Sequence, residues 1–550
     1  MKLNGFCPKF QIESTPTTSR RTSKLCFAGI LATAMACSLT ASQALAQDWA
    51  ASGFDAANTA HNASETVLST KNVGKLTPKW TFTTGGDVSA RAAVVNGRVY
   101  FPDWGGNLWA LDAKNGAVVW GKQLSTYLGS PTPVYARATP TISNGVVYIG
   151  TQTQGWFLAI DAANGKLLWK KQLEKVDPYA VITTSALVKN GVVYTGVAST
   201  QEALPGGGPG TARGSIVALD RWTGAILWKT YTTTTGYTGV GVWGNTPVVD
   251  ERRGLLYMGT GDNYNSPTDP AYLSCVSGGG TAATCQSPKN HVDSIMALDI
   301  FTGKVKWSYS AVNWNQQATE GVQNGSDFFN LSCIYKIAGC PSPTGPDYDF
   351  GQGPSEITFD TAHGPKTIIG AGQKSGIYYA FDPDSGKLLW QTQVGPGSSL
   401  GGMEWGSATD GKRIYIAVTN YYGIPWGGGS AGFWAALDPQ TGKVLWQTAD
   451  PNSAIDLGPL TVANGVLYVP STGDPDAATV TAGNPATSPT MLALDAATGK
   501  QLWGFASGSS VISGATVADG AVYWGTGYGH LGIPGVTSGK TFYAFAVGGK

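Results

Sequence analysis

The segment Ile216–Trp228 reads IVALDRWTGAILW, and its pattern recurs six more times along the chain. The other copies begin at Leu108, Phe157, Ile295, Tyr378, Trp434 and Met491. Each copy is a run of alternating apolar residues, a D-x-x-x-G turn, and a second run that ends in Trp. Alternation with a period of two is typical of β-strands, and turns of Asp, Asn and Gly join antiparallel strands. Each copy therefore predicts a β-hairpin.

A second hairpin signal precedes most of the copies. It is an Asn-Gly or Asp-Gly dipeptide between apolar runs: Asn96-Gly97, Asn144-Gly145, Asn190-Gly191, Asn464-Gly465 and Asp519-Gly520. Two hairpins per repeat make one four-stranded blade, and the repeated Asp residues lie 49 to 83 residues apart, a spacing typical of β-propeller blades with loops.

The two ends of the chain supply one more blade. Thr541–Phe545 matches the first strand of the repeat, and Leu76–Trp80 matches its Trp strand. We therefore predict an all-β fold, an eight-bladed β-propeller of four-stranded antiparallel blades, in which the N- and C-terminal strands close the ring. The repeated Trp residues should pack between blades; they are Trp80, Trp120, Trp169, Trp228, Trp307, Trp390, Trp446 and Trp503.

Composition excludes several classes of function. The 550 residues include 36 Lys and Arg against 35 Asp and Glu, and only 13% are charged. A protein that binds nucleic acid needs a concentrated basic surface, which this balance does not favour. Only four His residues are present, so a metal site built from several His ligands is disfavoured.

The N-terminal segment has the pattern of a secretory signal. Arg20, Arg21 and Lys24 precede an apolar run from Leu25 to about residue 39, and Ala44-Leu45-Ala46 matches a cleavage site. The run is too short and too rich in small residues for a membrane span. We predict a signal over residues 1–46 cleaved after Ala46, a single domain over 47–550, a periplasmic or secreted location, and no stable insertion in the membrane.

Four cysteines remain after cleavage: Cys275, Cys285, Cys333 and Cys340. Thiols oxidise in an exported protein, so two disulfides are expected. Four cysteines allow three pairings, and the one between sequence neighbours would close two long loops. The sequence has no C-x-x-C-H motif for attaching haem, so electrons leaving this protein would need a separate carrier.

The two longest intervals between repeats carry these cysteines and a group of acidic residues. They are the 79 residues from Asp220 to Asp299 and the 83 residues from Asp299 to Asp382. Insertions on one face of a propeller commonly build its functional site. Trp314, Phe328 and Phe329 are candidates for an apolar wall there, and packing within the loops explains them equally well.

The repeat and several inserted phrases resemble the quinoprotein alcohol dehydrogenases, and among them most resemble the polyvinyl alcohol dehydrogenase-like proteins. The phrases are WGNTPVVD (243–250), GTGDNY (259–264), DYDFGQGP (347–354), GQKSG (372–376) and GGMEWG (401–406). The resemblance implies a propeller that holds pyrroloquinoline quinone (PQQ) and a metal ion. It implies oxidation of an alcohol, including secondary or polymeric alcohols, to a carbonyl compound, with electrons passed to a separate acceptor such as a cytochrome c.

The resemblance also assigns cofactor contacts. PQQ is flat and carries three carboxylates, so its site needs a flat surface, cations or amides, and a metal ion. Trp243 matches the tryptophan under the quinone, and Lys374 matches the cation beside the quinone oxygens. Arg137, Thr183 and Asn420 match polar contacts. As alternatives, Trp243 would be a packing residue and Lys374 a surface charge.

Four carboxylates match the metal site of the family: Glu202, Asp262, Asp347 and Asp349. One Asp of the D-Y-D segment would be the general base that takes the alcohol proton, and the other would bind the metal. The pattern favours Asp347 as the base. Hard ions such as Ca2+ prefer oxygen ligands, and a set of four carboxylates also suits a trivalent lanthanide. As alternatives, Asp262 would belong to a hairpin turn and the Asp pair to an ordinary loop.

The sequence departs from the family in one respect, and it allows one alternative function. Many family members cover the second face of the quinone with a disulfide between adjacent cysteines, and this chain has no adjacent Cys pair. The alternative function is a non-catalytic propeller scaffold that binds protein or carbohydrate. A glycosidase is disfavoured, because nothing in the sequence sets two carboxylates at the required separation.

Overall fold

The sheets of the protein follow the repeat. The structure, a computed structural model, describes residues 48–244, 246–312, 326–427, 429–473 and 488–550. The signal predicted for residues 1–46 lies outside them. Eight antiparallel sheets of four strands, two of them extended by one short strand, form an eight-bladed β-propeller, which confirms the predicted fold.

Each of the first four blades runs in chain order from its inner to its outer strand. Blade 1 is Ala93–Val95, Arg98–Pro102, Asn107–Asp112 and Val118–Gln123. Blade 2 is Thr141–Ser143, Val146–Gly150, Trp156–Asp161 and Leu167–Gln172. Blade 3 is Leu187–Lys189, Val192–Ser199, Ser215–Asp220 and Ile226–Tyr231, extended by Ala180–Val181. Blade 4 is Val248–Asp250, Leu255–Gly259, Ser294–Asp299 and Val305–Ser310.

The other four blades complete the circle. Blade 5 is Ser355–Thr361, Gly364–Gly372, Ile377–Phe381 and Leu388–Gln393. Blade 6 is Ala408–Thr409, Ile414–Val418, Phe433–Leu437 and Val444–Ala449. Blade 7 is Thr461–Ala463, Val466–Pro470, Met491–Asp495 and Gln501–Phe505, with His61–Asn62 paired to it in parallel. Blade 8 is Thr516–Ala518, Ala521–Gly525, Thr541–Val547 and the N-terminal strand Leu76–Thr83.

The last blade joins the two ends of the chain. Its outer strand Leu76–Thr83 pairs antiparallel with Thr541–Val547, with Trp80 opposite Ala544. The two strands lie more than 450 residues apart in the sequence, so their pairing closes the ring through the sheet itself. This is the closure that the two partial repeats predict.

The repeated Trp residues fasten neighbouring blades. Each indole Nε1 donates a hydrogen bond of 3.0–3.3 Å to a backbone carbonyl of the next blade. Seven of the rings also lie against the turn glycine of the following repeat, where an added β-carbon would be only 2.5–2.9 Å from the nearest atom. These glycines have φ of +68° to +73°, a backbone conformation that residues other than glycine rarely adopt. Packing and backbone conformation together therefore require the glycine of the D-x-x-x-G motif.

The described helices are short and lie in connections between strands. The α-helices are Leu124–Leu128, Pro270–Ser277, Ala282–Cys285 and Leu331–Tyr335, and the 3-10 helices are Val73–Lys75, Thr200–Ala203, Pro205–Gly207 and Gly529–Leu531. Cys275 bonds to Cys285 and Cys333 to Cys340, which is the pairing between sequence neighbours. Within the part of the chain that the structure describes, no helix is long and apolar enough to cross a membrane.

Candidate functional site

The predicted site residues all lie at one end of the propeller. Glu202, Asp262, Lys374 and Asn420 follow the second strands of blades 3, 4, 5 and 6. Arg137, Thr183, Trp243, Asp347 and Asp349 precede the first strands of blades 2, 3, 4 and 5. Second strands end, and first strands begin, on the same face of the ring, so its topology gathers residues that are up to 283 positions apart.

Four carboxylates meet at this end. Glu202, Asp262, Asp347 and Asp349 each offer one oxygen, and these four atoms lie within 4.8 Å of one another. The three Asp residues are buried and Glu202 is half-buried. Neither carboxylate oxygen of Asp262 has a hydrogen-bond partner in the described residues. Buried carboxylates without partners are costly, and a bound cation would satisfy them.

Lys374 lies against this cluster. Its Nζ donates to Asp347 Oδ1 at 2.7 Å and to Asp349 Oδ2 at 2.9 Å. The second oxygen of Asp349 accepts from the backbone N–H of Asp262 at 2.7 Å. Lys374 is therefore part of the cluster rather than a surface charge, and Asp349 has both oxygens occupied.

Burial and mutual repulsion make the cluster bind protons tightly. Burial, with the nearby charge of Asp349, raises the pKa of Glu202 to about 8. Burial, with the charge of Glu202, raises the pKa of Asp262 well above its ordinary value. Burial also raises the pKa of Asp347 well above its ordinary value despite the opposing effect of Lys374. Burial opposes the charge of Lys374, but Asp347 and Asp349 outweigh it and hold its pKa well above the usual value.

The loop that carries Glu202 is anchored from both sides. Ser199 Oγ accepts from the backbone N–H of Gln201 at 3.1 Å and begins the short helix Thr200–Ala203. The buried amide of Gln201 donates to Asp177 at 2.8 Å and accepts from the N–H of Ala212. Anchoring of the residue before Glu202 directs the Glu202 carboxylate toward the cluster.

A cavity that is partly open to solvent contains three of the predicted cofactor contacts. It is lined by Arg137, Thr183 and Trp243, together with residues that include Arg91, Trp405 and Tyr528. The Trp243 indole nitrogen is buried without a partner in the described residues. The cavity therefore combines a large flat ring with two guanidinium groups.

Local contacts place the cavity residues. Thr183 Oγ1 donates to the carbonyl of Trp243 at 3.1 Å, and an added β-carbon at Gly241 would lie 2.8 Å from the Trp243 indole nitrogen. Arg137 donates to the Tyr528 hydroxyl at 2.8 Å, and its guanidinium lies 5.7 Å from the Trp405 ring centre. These contacts hold the flat and cationic groups at the cavity wall.

Asn420 is placed differently from the other predicted contacts. Its amide donates to the carbonyls of Ile424, Ser430 and Ala431 and accepts from the N–H of Ile424. These bonds stabilise its own loop, and Asn420 is absent from the cavity lining described above. Its role as a cofactor contact stays a prediction.

The apolar wall residues behave as loop packing. Phe328 is fully buried in a cluster with Tyr237, Tyr272 and Cys285. Phe329 is also buried. Trp314 lies outside the described residues. The cluster with Phe328 is the core of the disulfide-closed insertion.

Sequence patterns missed several residues of this region. Arg91 lines the cavity, and Asp293 and Asp327 lie fully buried behind the four carboxylates. Glu404 is buried too, and burial raises its pKa to about 7 against the lowering effect of Lys374. Glu404 lies in GGMEWG (401–406), one of the phrases that resemble the family, so the sequence offered a way to find it. Asp293 lies in no such phrase.

Comparison with known proteins finds relatives with similar sequences over most of the chain. The chain is 30% identical over 527 residues to the polyvinylalcohol dehydrogenase of Sphingopyxis sp. (strain 113P3), covering 88% of this chain and 74% of that protein. It is 29% identical over 528 residues to the polyvinylalcohol dehydrogenase of a Pseudomonas species, with the same coverage. A family model described as outer membrane protein assembly factor BamB matches residues 373–482 and 430–546.

Among solved structures, the fold is similar to that of the quinohemoprotein alcohol dehydrogenase ADHIIG from Pseudomonas putida HK5. The TM-score is 0.68 at 18% identity, covering 92% of this chain and 81% of that one. At this identity the likeness concerns the fold.

Proposed function

This chain belongs to the polyvinyl alcohol dehydrogenase family, and we propose that it oxidises an alcohol to a carbonyl compound with PQQ and a bound metal ion. The substrates include secondary and polymeric alcohols. The electrons pass to a separate acceptor such as a cytochrome c. The protein acts in the periplasm or outside the cell, in keeping with the signal predicted over residues 1–46.

The juxtaposition of two features at one end of the propeller supports this proposal most directly. One is the cluster of four carboxylates and Lys374. The other is the cavity with Trp243 and the guanidinium groups of Arg91 and Arg137. A scaffold that only binds protein or carbohydrate has no need to gather four carboxylates, one of which, Asp262, has no hydrogen-bond partner in the described residues.

The donor set fits a hard cation. Four carboxylates carry four negative charges and Lys374 carries one positive charge, which leaves three negative charges when all are ionised. Ca2+ would leave one negative charge and a trivalent lanthanide would leave none. We propose Glu202, Asp262, Asp349 and Asp347 as the residues around the metal, with Ca2+ bound and a trivalent lanthanide as the alternative that this charge count also suits.

The residues that line the cavity suit a flat anion. Trp243 offers a ring face for stacking, Arg137 offers a cation for carboxylates, and Thr183 orients the Trp243 backbone. When bound, PQQ supplies the acceptor for the two electrons that the alcohol loses. Lys374 lies against the carboxylate cluster, and by the resemblance it would donate a hydrogen bond to the quinone oxygens.

Asp347 is the better candidate for the general base. Both oxygens of Asp349 accept hydrogen bonds, from Asp262 and from Lys374. Among the described residues, Asp347 accepts such a bond at Oδ1 alone. Its Oδ2 can therefore accept the proton of the alcohol hydroxyl, while Lys374 stabilises the carboxylate before the transfer.

Reconstitution tests the proposal. Protein freed of metal and quinone is loaded with PQQ and Ca2+, or with PQQ and La3+, and dye reduction is followed with primary, secondary and polymeric alcohols. We expect activity that needs both additions and is lost in Asp347→Ala. Absence of quinone binding with either metal would overturn the proposal and favour the scaffold that binds protein or carbohydrate.

A further inference from the structure

The segment 326–340 contacts all three loops that supply the carboxylate cluster. It lies between blades 4 and 5, contains the short helix Leu331–Tyr335, and is closed by the Cys333–Cys340 disulfide. None of its residues belongs to the cluster itself.

The first contact is with the loop that carries Asp262. The backbone N–H of Asn263 donates to the carbonyl of Asp327 at 3.0 Å, and the N–H of Phe329 donates back to the carbonyl of Asn263 at 2.7 Å. The side-chain amide of Asn330 donates to the carbonyl of Tyr264 at 2.9 Å. Asp262 is thus followed by two residues whose backbone is bound to this segment.

The second contact is with the D-Y-D loop and is made by a side chain. The two carboxylate oxygens of Asp327 accept from the backbone N–H groups of Asp347, at 3.1 Å, and Tyr348, at 2.7 Å. Asp347 has φ of +62°, a left-handed conformation that costs energy for a residue other than glycine, although Asp adopts it more readily than most. A carboxylate that accepts two successive N–H groups stabilises this conformation.

The third contact is with the loop that follows Glu202. The Ser332 hydroxyl is buried and accepts from the backbone N–H of Gly206 at 2.6 Å. Gly339 packs so closely on Gly206 that an added β-carbon at Gly339 would lie 2.6 Å from the Gly206 Cα. The disulfide-closed end of the segment therefore supports the Glu202 loop.

We propose that Asp327 and Ser332 are positioning residues, which hold the Asp347, Asp262 and Glu202 loops in the arrangement that receives the metal. Asp327 fixes the backbone of Asp347 and ties it to the Asp262 loop, and Ser332 ties in the Glu202 loop. The role in metal binding rests on the proposed function, whereas the role in holding the loops does not.

Asp293 provides a matched control for Asp327. Both side chains are fully buried, and the charge of Asp327 acts on the Asp293 carboxyl group. Neither carboxylate oxygen of Asp293 has a hydrogen-bond partner in the described residues. Asp293→Asn and Asp327→Asn therefore each replace one buried carboxyl group in the same region, but only the second removes an acceptor of the D-Y-D backbone.

Terbium binding is the first readout. Tb3+ alone is titrated into quinone-free wild type, Asp327→Asn, Asp293→Asn and Ser332→Ala, and its sensitised emission is recorded. Because loss of a residue that orients metal ligands typically lowers affinity 10–100-fold, we expect a loss of about that size for Asp327→Asn and a loss of about threefold or less for Asp293→Asn. For Ser332→Ala we expect an intermediate loss.

Amide exchange is the second readout and needs no metal. In metal-free protein, the amides of Asp347 and Tyr348 should exchange faster in Asp327→Asn than in wild type or Asp293→Asn. In Ser332→Ala the change should appear at Gly206. Unchanged exchange at these sites would overturn the positioning role, whatever the metal result.

The two readouts separate the two hypotheses. No Tb3+ binding by wild type would overturn the metal site of the proposed function and the metal-binding part of this inference together. Equal losses of affinity in Asp327→Asn and Asp293→Asn would overturn the inference alone, because the loss of any buried carboxyl group in this region would then explain both. If Asp327→Asn does not fold, the Tb3+ affinity and the amide exchange of Ser332→Ala test the inference in its place.

Discussion

Gly261 lies so close to Asp349 that a β-carbon at position 261 would be 2.2 Å from Asp349 Oδ1. Gly261 directly precedes Asp262, whose N–H donates to that same oxygen. The absence of a side chain at one residue of blade 4 therefore allows an acid from the next blade to enter the cluster. This close approach joins the two loops that contribute three of the four carboxylates.

Gly261→Ala should displace the Asp349 carboxylate, because the added methyl group occupies its position. We expect affinity for Ca2+ or Tb3+ to fall about 10–100-fold, as for other changes that misplace a metal ligand. Calorimetric titration of quinone-free protein measures this. Gly429→Ala is the control, because a β-carbon there meets no atom within 4 Å. Equal affinities of the two variants would contradict the prediction.

Lys374→Gln should destabilise the metal-free protein. It leaves Asp347 and Asp349 buried without their cation, and removal of one partner of a buried ion pair typically costs about 3–5 kcal/mol of unfolding free energy. Urea unfolding measures the loss. The control is Lys306→Gln, whose pair with Asp299 is more exposed and should contribute less than about 1 kcal/mol. The interpretation of Lys374 fails if both variants lose the same small amount.

The stability of the metal-free protein should fall as pH rises from about 4.5 toward 8. The pKa of Glu202 is about 8 in the folded chain, above its ordinary value of 4.5, so the folded state binds this proton more tightly than the unfolded state. Stability from this proton is complete below the lower value and is lost as pH passes the higher one. Thermal unfolding across this range measures the trend.

Two comparisons check the origin of this pH dependence. Glu202→Gln should flatten the slope, because the amide does not titrate. Added Ca2+ or La3+ should raise the unfolding temperature more at pH 8 than at pH 5.5, because protons compete with the metal for the carboxylates. An unfolding temperature of metal-free wild type that rises with pH through this window would refute the expectation.

Trp243→Ala should weaken PQQ binding by about tenfold or more, because the quinone would lose a stacking surface and its contact area. Quenching of protein fluorescence by PQQ measures the affinity. Trp222→Ala is the matched control, since Trp222 is 65% exposed at the turn of a blade hairpin. Unchanged affinity for PQQ in Trp243→Ala would indicate that Trp243 is a packing residue instead.

The sequence by itself determined the architecture. The Asp, Gly and Trp of each repeat specify a turn, a close contact and an inter-blade hydrogen bond, all of which depend on residues near one another in sequence or at equivalent repeat positions. The partial repeats at Leu76–Trp80 and Thr541–Phe545 specified closure for the same reason. Resemblance then pointed to the acids at 202, 262, 347 and 349, which the fold brings within 4.8 Å.

Only the tertiary structure decided how those acids are held. The Lys374 bridge, the support of Asp347 by Asp327, and the local role of Asn420 depend on loops from different blades or on the path of one irregular loop. Such loops follow no repeat, and a single Asp gives no periodic signal. Their contacts arise because the closed ring brings distant segments to one end, where buried Lys374 and Asp327 find their partners in other segments.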